Sequence, residues 1–358
     1  MRAAIARDKR IVCDEVPDVA PDEGQVLVRT LACGICGSDL HALRHADVVG
    51  RLYRAVGVEN ALDPAKDVVF GHEFCAEILD HGPGTAKRLK PGTRVVSVPR
   101  VFDRTGGHTV GYSNRFPGGY AERMVLTEAL LLEVPNGLPT HLAALTEPLA
   151  VGEHAVAMAD LEGAGAALVV GCGPVGLAVI AALKARGFGP VVAADFAPGR
   201  RRTAERLGAN VVIDPAAQSP HRAWEQFGLP RTRGQRYKAM AEGTLRGRPV
   251  IFECVGVPGV LQNLIAEAPV AAQILVVGVC METDRIEPAL AVAKELDFRF
   301  CYAYSPEEFA QTLRNIAEGR IDAASLVSRR VGLSEVASAF EALAKPGDEV
   351  KVLVEPTH

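Results

Sequence analysis

The chain has 358 residues, 48% apolar and 23% charged, with a formal net charge of −4. This is an ordinary globular composition in a chain too long for one core, which predicts two domains and excludes long disorder. The mild acidity, with no basic tract, excludes nucleic acid as a partner, and the start Met1-Arg2-Ala3-Ala4-Ile5-Ala6-Arg7-Asp8 meets charge too early for a signal peptide.

Residues 2–80 read as short strands and turns. Val26–Leu31 is rich in β-formers and follows the turn-like Pro21-Asp22-Glu23-Gly24. Val68-Val69-Phe70 leads into Gly71-His72-Glu73, and Phe74–Leu79 alternates as a strand does. Pro91-Gly92-Thr93 is a turn before the strand-like Arg94–Val98, and Gly118–Glu122 opens another extended run. Irregular β structure with many glycines and prolines suits a small barrel-like domain.

From about residue 150 strand and helix patterns alternate. Strands are predicted at Ala166–Val170, Val191–Asp195, Val211–Ile213, Val250–Phe252, Ile274–Val277 and Leu296–Tyr302. Helices are predicted at Gly176–Arg186 and at Gly199–Leu207, the latter stopped by Gly208. Near-continuous apolar strands separated by helices indicate a parallel sheet covered on both faces. Residues 163–183 lack any charged side chain, but Gly171, Gly173, Pro174 and Gly176 interrupt them, so strand, turn and helix replace a membrane span as the reading. The tail, with helices at Pro306–Glu318 and Ser334–Leu343 and a strand at Val350–Val354, fits a return to the first domain.

Gly171-Cys172-Gly173-Pro174-Val175-Gly176 matches G-x-G-x-x-G between a predicted strand and helix, and Asp195 ends the next strand about 20 residues on. Gly171 permits the tight turn, Gly173 the approach of a pyrophosphate and Gly176 close helix packing. The helix N-terminus offers N–H groups to phosphates. Asp195 can accept hydrogen bonds from both ribose hydroxyls and would repel a 2′-phosphate, favouring NAD over NADP. Arg200-Arg201-Arg202 is the opposing feature; a solvated helix face with one adenine-packing arginine, Arg200, explains it.

The eight cysteines are scattered, which does not resemble a disulfide framework and predicts a reducing, cytoplasmic setting. Cys33 and Cys36 form a C-x-x-C pair, but no thioredoxin-like unit surrounds it and no second C-x-x-C follows to make a zinc ribbon. Cys33 reads as a buried apolar residue. Cys36 and His72 are suitable zinc ligands, and Glu73 and Glu147 can supply oxygen.

Taken in order, G-I-C-G-S-D-L-H at 34–41, G-H-E at 71–73, P-G-G-Y-A-E at 117–122, E-P-L-A-V at 147–151, G-C-G-P-V-G at 171–176, E-C-V-G at 253–256 and V-K-V-L-V at 350–354 span nearly the whole chain. This set resembles the medium-chain, zinc-dependent alcohol dehydrogenases, in their polyol, threonine and butanediol dehydrogenase branch. The resemblance implies a GroES-like irregular β-barrel catalytic domain, residues 1–149 completed by 304–358, plus a Rossmann doubly wound parallel-sheet domain, residues 150–303. It implies Cys36 and His72 as zinc ligands and Glu73 and Glu147 as exchangeable ones, bound directly or through water. Asp39 is similar to the carboxylate that orients the histidine ligand, and Ser38 and His41 resemble a proton-relay pair. Val255 and Val277-Gly278 are expected to flank the cofactor, and Lys351 to reach its pyrophosphate. A small-molecule alcohol or carbonyl substrate, one catalytic zinc per chain, NAD, and a homodimer or homotetramer complete the expectation.

Two departures stand out. No cysteine lies between Cys75 and Cys172, so the four-cysteine structural zinc of many relatives is not expected. The interval from Cys36 to His72 is long, with extra loop around 43–66 carrying Arg44, Arg51 and Arg54, which read as a solvated face before an anion-selecting one. A further insertion, residues 218–248, holds seven Arg/Lys against two Glu and reads as a surface or subunit-contact element. A zinc-free quinone or enone reductase would have lost the Cys/His/Glu set, and a non-catalytic nucleotide-binding protein would not need Ser38 and His41.

Overall fold

The computed structural model describes residues 1–357 except Glu59, Ala61, Pro64, Asn136 and Pro346. Three of these lie in the stretch 43–66, so that part of the extra loop falls outside the described residues. The chain divides into one unit of Met1–Glu147 with Phe309–His358 and a second of Pro148–Glu308. The divisions fall in the first turns of two helices, Thr146–Ala157 and Pro306–Ala317.

The first unit is mostly antiparallel. Its strands are β1 (Arg2–Arg7), β2 (Arg10–Glu15), β3 (Gln25–Gly34), β4 (Glu73–His81), β5 (Arg94–Ser97), β6 (Arg100–Asp103), β7 (Gly106–Thr109), β8 (Arg123–Thr127) and β9 (Leu131–Glu133). β3 is the longest and pairs with β4 over most of its length, in a register that sets Gly34 opposite Glu73 and Cys33 opposite Phe74. The apolar run Val68–Phe70 before the Gly71-His72-Glu73 motif is not part of a strand. Its Val68 makes a single bridge to Ala6, while Val69 and Phe70 spend their carbonyls on Gly118 and Tyr120 N–H. The long interval after Cys36 folds into two short helices, Gly37–Arg44 and Ala46–Ala55.

In the second unit, β10 (Ala164–Val170), β11 (Val191–Ala194), β12 (Val211–Ile213), β13 (Arg248–Glu253), β14 (Gln273–Val276) and β15 (Asp297–Phe300) form a parallel sheet in the order β12-β11-β10-β13-β14-β15. The order reverses direction at β10, which is where doubly wound sheets open a ligand crevice. Ala166–Val169 and Val191–Val192 are fully buried, which accounts for their unbroken apolar sequence. Helix Pro174–Ala185 is buried continuously from Gly176 to Leu183, hence apolar on all sides. The fold is α/β, with a GroES-like β unit and a Rossmann-type sheet.

β16 (Val327–Val331) and β17 (Lys351–Val354) return to the first unit, where β17 pairs with the end of β3 beside Cys33 and Gly34. No helix among the described residues is long and apolar enough to cross a membrane.

Candidate metal and dinucleotide sites

β3 runs directly into the Cys36 turn and β4 begins at Glu73, so their pairing brings two distant motifs to one end of the sheet. The ligand atoms of Cys36, His72 and Glu73 all lie within 4.8 Å of one another. His72 and Glu73 are buried and Cys36 is half-buried, leaving the thiol side open. Glycines make the approach possible. A Cβ on Gly34 would overlap Glu73 Oε2, and Gly71 adopts φ +103° while packed on Cys33 Sγ and Tyr120. Cys33 is fully buried, and burial pushes its thiol well above its ordinary pKa, as suits a packing residue.

Asp39 is the hub of the cluster. It has no solvent exposure, and its carboxylate accepts from Cys36 N–H at 3.1 Å, Tyr120 Oη at 2.7 Å and Tyr112 Oη at 3.0 Å. His72 Nδ1 lies 3.3 Å from Asp39 Oδ1, within ion-pair range but off the line of a hydrogen bond. Burial alone would lower the His72 pKa; the Asp39 charge and the contact with Cys36 hold it well above the ordinary value. A half-buried thiol, a buried imidazole and a buried carboxylate converging, with a second carboxylate behind the imidazole, form a donor set suited to Zn²⁺, with Asp39 in the orienting position.

Ser38 Oγ is 3.1 Å from Cys36 Sγ and 2.8 Å from Tyr112 Oη. His41 lies one turn further along the helix, half-buried, and burial, His45 and Arg44 lower its pKa. Glu147 is buried in the first turn of its helix but outside the three-residue cluster. Arg44, Arg51 and Arg54 are exposed, which fits a solvated face.

Lys351 corrects the expectation. Its ammonium is buried and donates to Ile35 O at 3.1 Å and to both Glu73 oxygens at 2.7 and 2.8 Å. With the residue 1% exposed, the ammonium is enclosed with these partners and is not offered to a phosphate. Its role is to neutralise Glu73. The terminal-strand position alone did not reveal this, because β17 reaches Glu73 only through its pairing with β3.

In the second unit the three glycines differ in purpose. Gly171 has φ +89°, and a Cβ there would strike Val255; a Cβ on Gly176 would overlap Gly171 O. A Cβ on Gly173 would meet only Arg200 Nη1, at 3.9 Å. The protein does not need that glycine, so the open space beside it fits a close-approaching ligand such as a pyrophosphate. Pro174 opens the following helix, and Val175 and Gly176 lie in its first turn, where N–H groups have no intrahelical acceptor.

Asp195 Oδ2 accepts from Cys172 N–H and Oδ1 from Ala197 N–H, both at 2.7 Å. Each oxygen keeps a second lone pair for a ribose hydroxyl. Arg201 donates to Asp195 O and pairs with Asp214, while Arg202 is exposed, so Arg200 is the arginine that faces the glycine turn. Glu253, which sequence reading quoted only within a motif, organises the far loops. Its carboxylate accepts from Val255 and Gly256 N–H and its carbonyl from Val277 and Gly278 N–H.

The N-terminal part matches the family model for the alcohol dehydrogenase GroES-like domain over residues 22–136, and residues 174–318 match that for a zinc-binding dehydrogenase. An (R,R)-butanediol dehydrogenase of Bacillus subtilis is 33% identical over 361 residues, covering 98% of this chain and 97% of its own. The chain belongs to the medium-chain, zinc-dependent alcohol dehydrogenases. A sorbitol dehydrogenase of the same organism is 29% identical over 99% of this dehydrogenase and 97% of its own length. The crystal structure of a Bacillus subtilis 2R,3R-butanediol dehydrogenase superposes with a TM-score of 0.80 at 29% identity, covering 99% of both chains. The protein is therefore a zinc-dependent oxidoreductase acting on alcohols.

Proposed function

We propose that this dehydrogenase interconverts a secondary alcohol, in the diol or polyol class, with its ketone, using one zinc per chain and NAD. The observation that carries the reading is the convergence of Cys36, His72 and Glu73 with Asp39 behind the imidazole and Ser38 beside the thiol. When bound, zinc supplies Lewis acidity that makes an alcohol hydroxyl easier to deprotonate, and the nicotinamide supplies the hydride acceptor. Cys36 and His72 hold the metal, with Glu73 and Glu147 sharing the remaining positions directly or through water. Lys351 offsets the Glu73 charge, so an alcohol meets a less anionic site. Asp39 keeps a proton on His72 Nδ1, leaving Nε2 as the ligand. Ser38 receives the hydroxyl proton of the substrate, and His41, kept neutral by its surroundings, takes it toward solvent.

Asp195 supports NAD, because its carboxylate would accept ribose hydroxyls and repel a 2′-phosphate. The absence of any paired cysteine among all eight supports a cytoplasmic setting. The edge strand β15, which ends on the exposed Phe300 with exposed Tyr302 just beyond it, supports a homo-oligomer.

An initial-rate screen of diols, polyols, simple alcohols and hydroxy acids with NAD and with NADP, beside metal analysis, tests the reading. About one zinc per chain and NADH formation from vicinal diols or polyols are expected, with NAD preferred. Zinc-loaded protein that oxidises no alcohol with either cofactor would sink it, and preference for NADP would overturn the role given to Asp195.

A further inference from the structure

Glu253 closes β13, is buried, and lies outside the metal cluster. Its Oε1 accepts from Val255 N–H at 2.7 Å and from Gly256 N–H at 2.9 Å. Its Oε2 is tucked under Gly278, where a Cβ would come within 2.7 Å of it. Gly256, at φ +68°, is pressed against the backbone of Gly278 and Val279. One carboxylate therefore ties together the loops that follow β13 and β14. Burial pushes its pKa up, and the N–H groups of Gly256, Val255 and Gly278 oppose that; no cationic side chain is among the groups acting on it. Every bond it makes is accepted from an N–H, the pattern of an ionised carboxylate. Residues 253–259 and 276–281 hold no Lys or Arg and no second carboxylate. The charge of Glu253 is thus held by dipoles and not cancelled by a counter-ion.

The strand order fixes what that charge faces. Asp195 follows β11 directly, the glycine turn follows β10, and β13 and β14 come next in the sheet. A dinucleotide with one ribose at Asp195 and its pyrophosphate at Gly173 has its other half directed across the ends of β13 and β14. There the loops tied by Glu253 expose Val255, Val257 and Val279, with Val255 against the glycine turn: a Cβ on Gly171 would come within 2.7 Å of it. Apolar side chains on a firmly held rim suit a flat ring. A nicotinamide ring is a cation when oxidised and neutral when reduced, while the rest of the cofactor is the same in both. A fixed anion beside this rim therefore acts on the affinity of one form and leaves the other nearly untouched.

We infer that Glu253 is a specificity-determining residue for the oxidation state of the cofactor: its buried charge favours the cationic nicotinamide over the neutral one. The inference rests on the reading of the site as an NAD-dependent alcohol dehydrogenase and deepens it. Loading of oxidised cofactor and release of reduced cofactor is the order that alcohol oxidation needs, and Glu253 favours both.

The test measures dissociation constants for oxidised NAD and for NADH, by NADH fluorescence and its displacement, in the full chain without substrate. Glu253→Gln keeps the size and an acceptor for Val255 and Gly256 but removes the charge. It should raise the ratio of the Kd for oxidised NAD to the Kd for NADH about three- to tenfold. Glu253→Asp keeps the charge on a shorter arm; it should weaken both forms and leave the ratio within about twofold of wild type. A residue that only braces the loops would weaken both forms alike in both variants, so an unmoved ratio in Glu253→Gln, or an equal shift in Glu253→Asp, would overturn the inference. Val279→Lys changes an exposed side chain and places a cation on the same rim. It should raise the same ratio about two- to threefold at low salt and less at high salt. This variant decides the matter even where Glu253→Gln does not fold: an unmoved ratio puts the nicotinamide elsewhere and overturns the inference. None of these measurements needs zinc or turnover. Wild type that oxidises no alcohol defeats the functional reading while the ratio still decides the role of Glu253. If only the 2′-phosphorylated cofactors bind, the same ratio is read with them, because the nicotinamide charge is the same; protein that binds neither pair defeats both.

Discussion

Lys351 and Glu73 are both buried, and neither charge would be tolerable alone. Burial by itself would lower the Lys351 pKa; the Glu73 carboxylate, with Cys36 and Glu147 nearby, holds it above the ordinary lysine value. Removing one member of a buried pair leaves an uncompensated charge, which costs about 3–5 kcal/mol, whereas removing both costs far less. Lys351→Met should therefore lower stability in urea denaturation by about that amount, and Lys351→Met/Glu73→Gln should recover most of it. A single variant as stable as wild type would show that the pair is not what holds this part of the fold. At this scale the motif residues Cys36, Asp39, His72 and Glu73 were legible because their chemistry is unusual and their spacing specific. Lys351 was legible as a residue of interest but not in its role, and Tyr112 not at all, because a tyrosine in a loop has no signature until its neighbours are known.

The basic insertion supplies the prediction at the scale of elements. Residues 220–226 form a short helical stretch that buries Trp224 under the sheet, among Leu168, Val192, Ile251 and Ile274. Trp224 Nε1 donates to His221 Nδ1 at 3.2 Å, which requires neutral histidine. Burial, then Arg231 and Lys294, lowers the His221 pKa from 6.5 to about 4. The unfolded chain takes up this proton below about pH 6.5 and the folded chain does not until about pH 4. The stability contribution is thus intact above about pH 6.5 and is lost progressively as pH falls toward 4, by about 3 kcal/mol in all. Trp224 is the single tryptophan, so its fluorescence in denaturant at several pH values reads this directly. His221→Asn, which keeps an acceptor but does not titrate, should flatten the pH dependence between 6.5 and 4; an unchanged slope would remove His221 as its cause. The insertion was legible as an anomaly of charge, since Arg231, Arg233, Arg236 and Lys238 crowd one stretch. Its anchoring role was not, because one buried tryptophan carries it.

For the whole molecule, the open question of assembly turns on one strand. β15 is one of the two outer strands of the six-stranded sheet, and Phe300 and Tyr302 at its end are about 70% exposed. A sheet edge with large apolar side chains is a template for pairing with another chain. Wild-type protein should sediment as a dimer or tetramer, and Phe300→Glu/Tyr302→Glu should shift it toward monomer; sedimentation of the variant at the wild-type mass would exclude this edge as the contact.

Local sequence determined the parallel-sheet region, the glycine turn at 171–176, the carboxylate at Asp195 and the presence of metal-ligating residue types at Cys36, His72 and Glu73, which the fold brings together. These depend on short-range rules: apolar runs for buried strands, glycine where a Cβ cannot fit, soft and hard donors at fixed intervals. Only the tertiary structure decided that Glu73 is held by Lys351, that Tyr112 reaches Ser38, and that Glu253 ties together two loops. Each joins residues dozens to hundreds of positions apart, and which of them meet is set by strand pairing and burial of the whole chain, which no local pattern encodes.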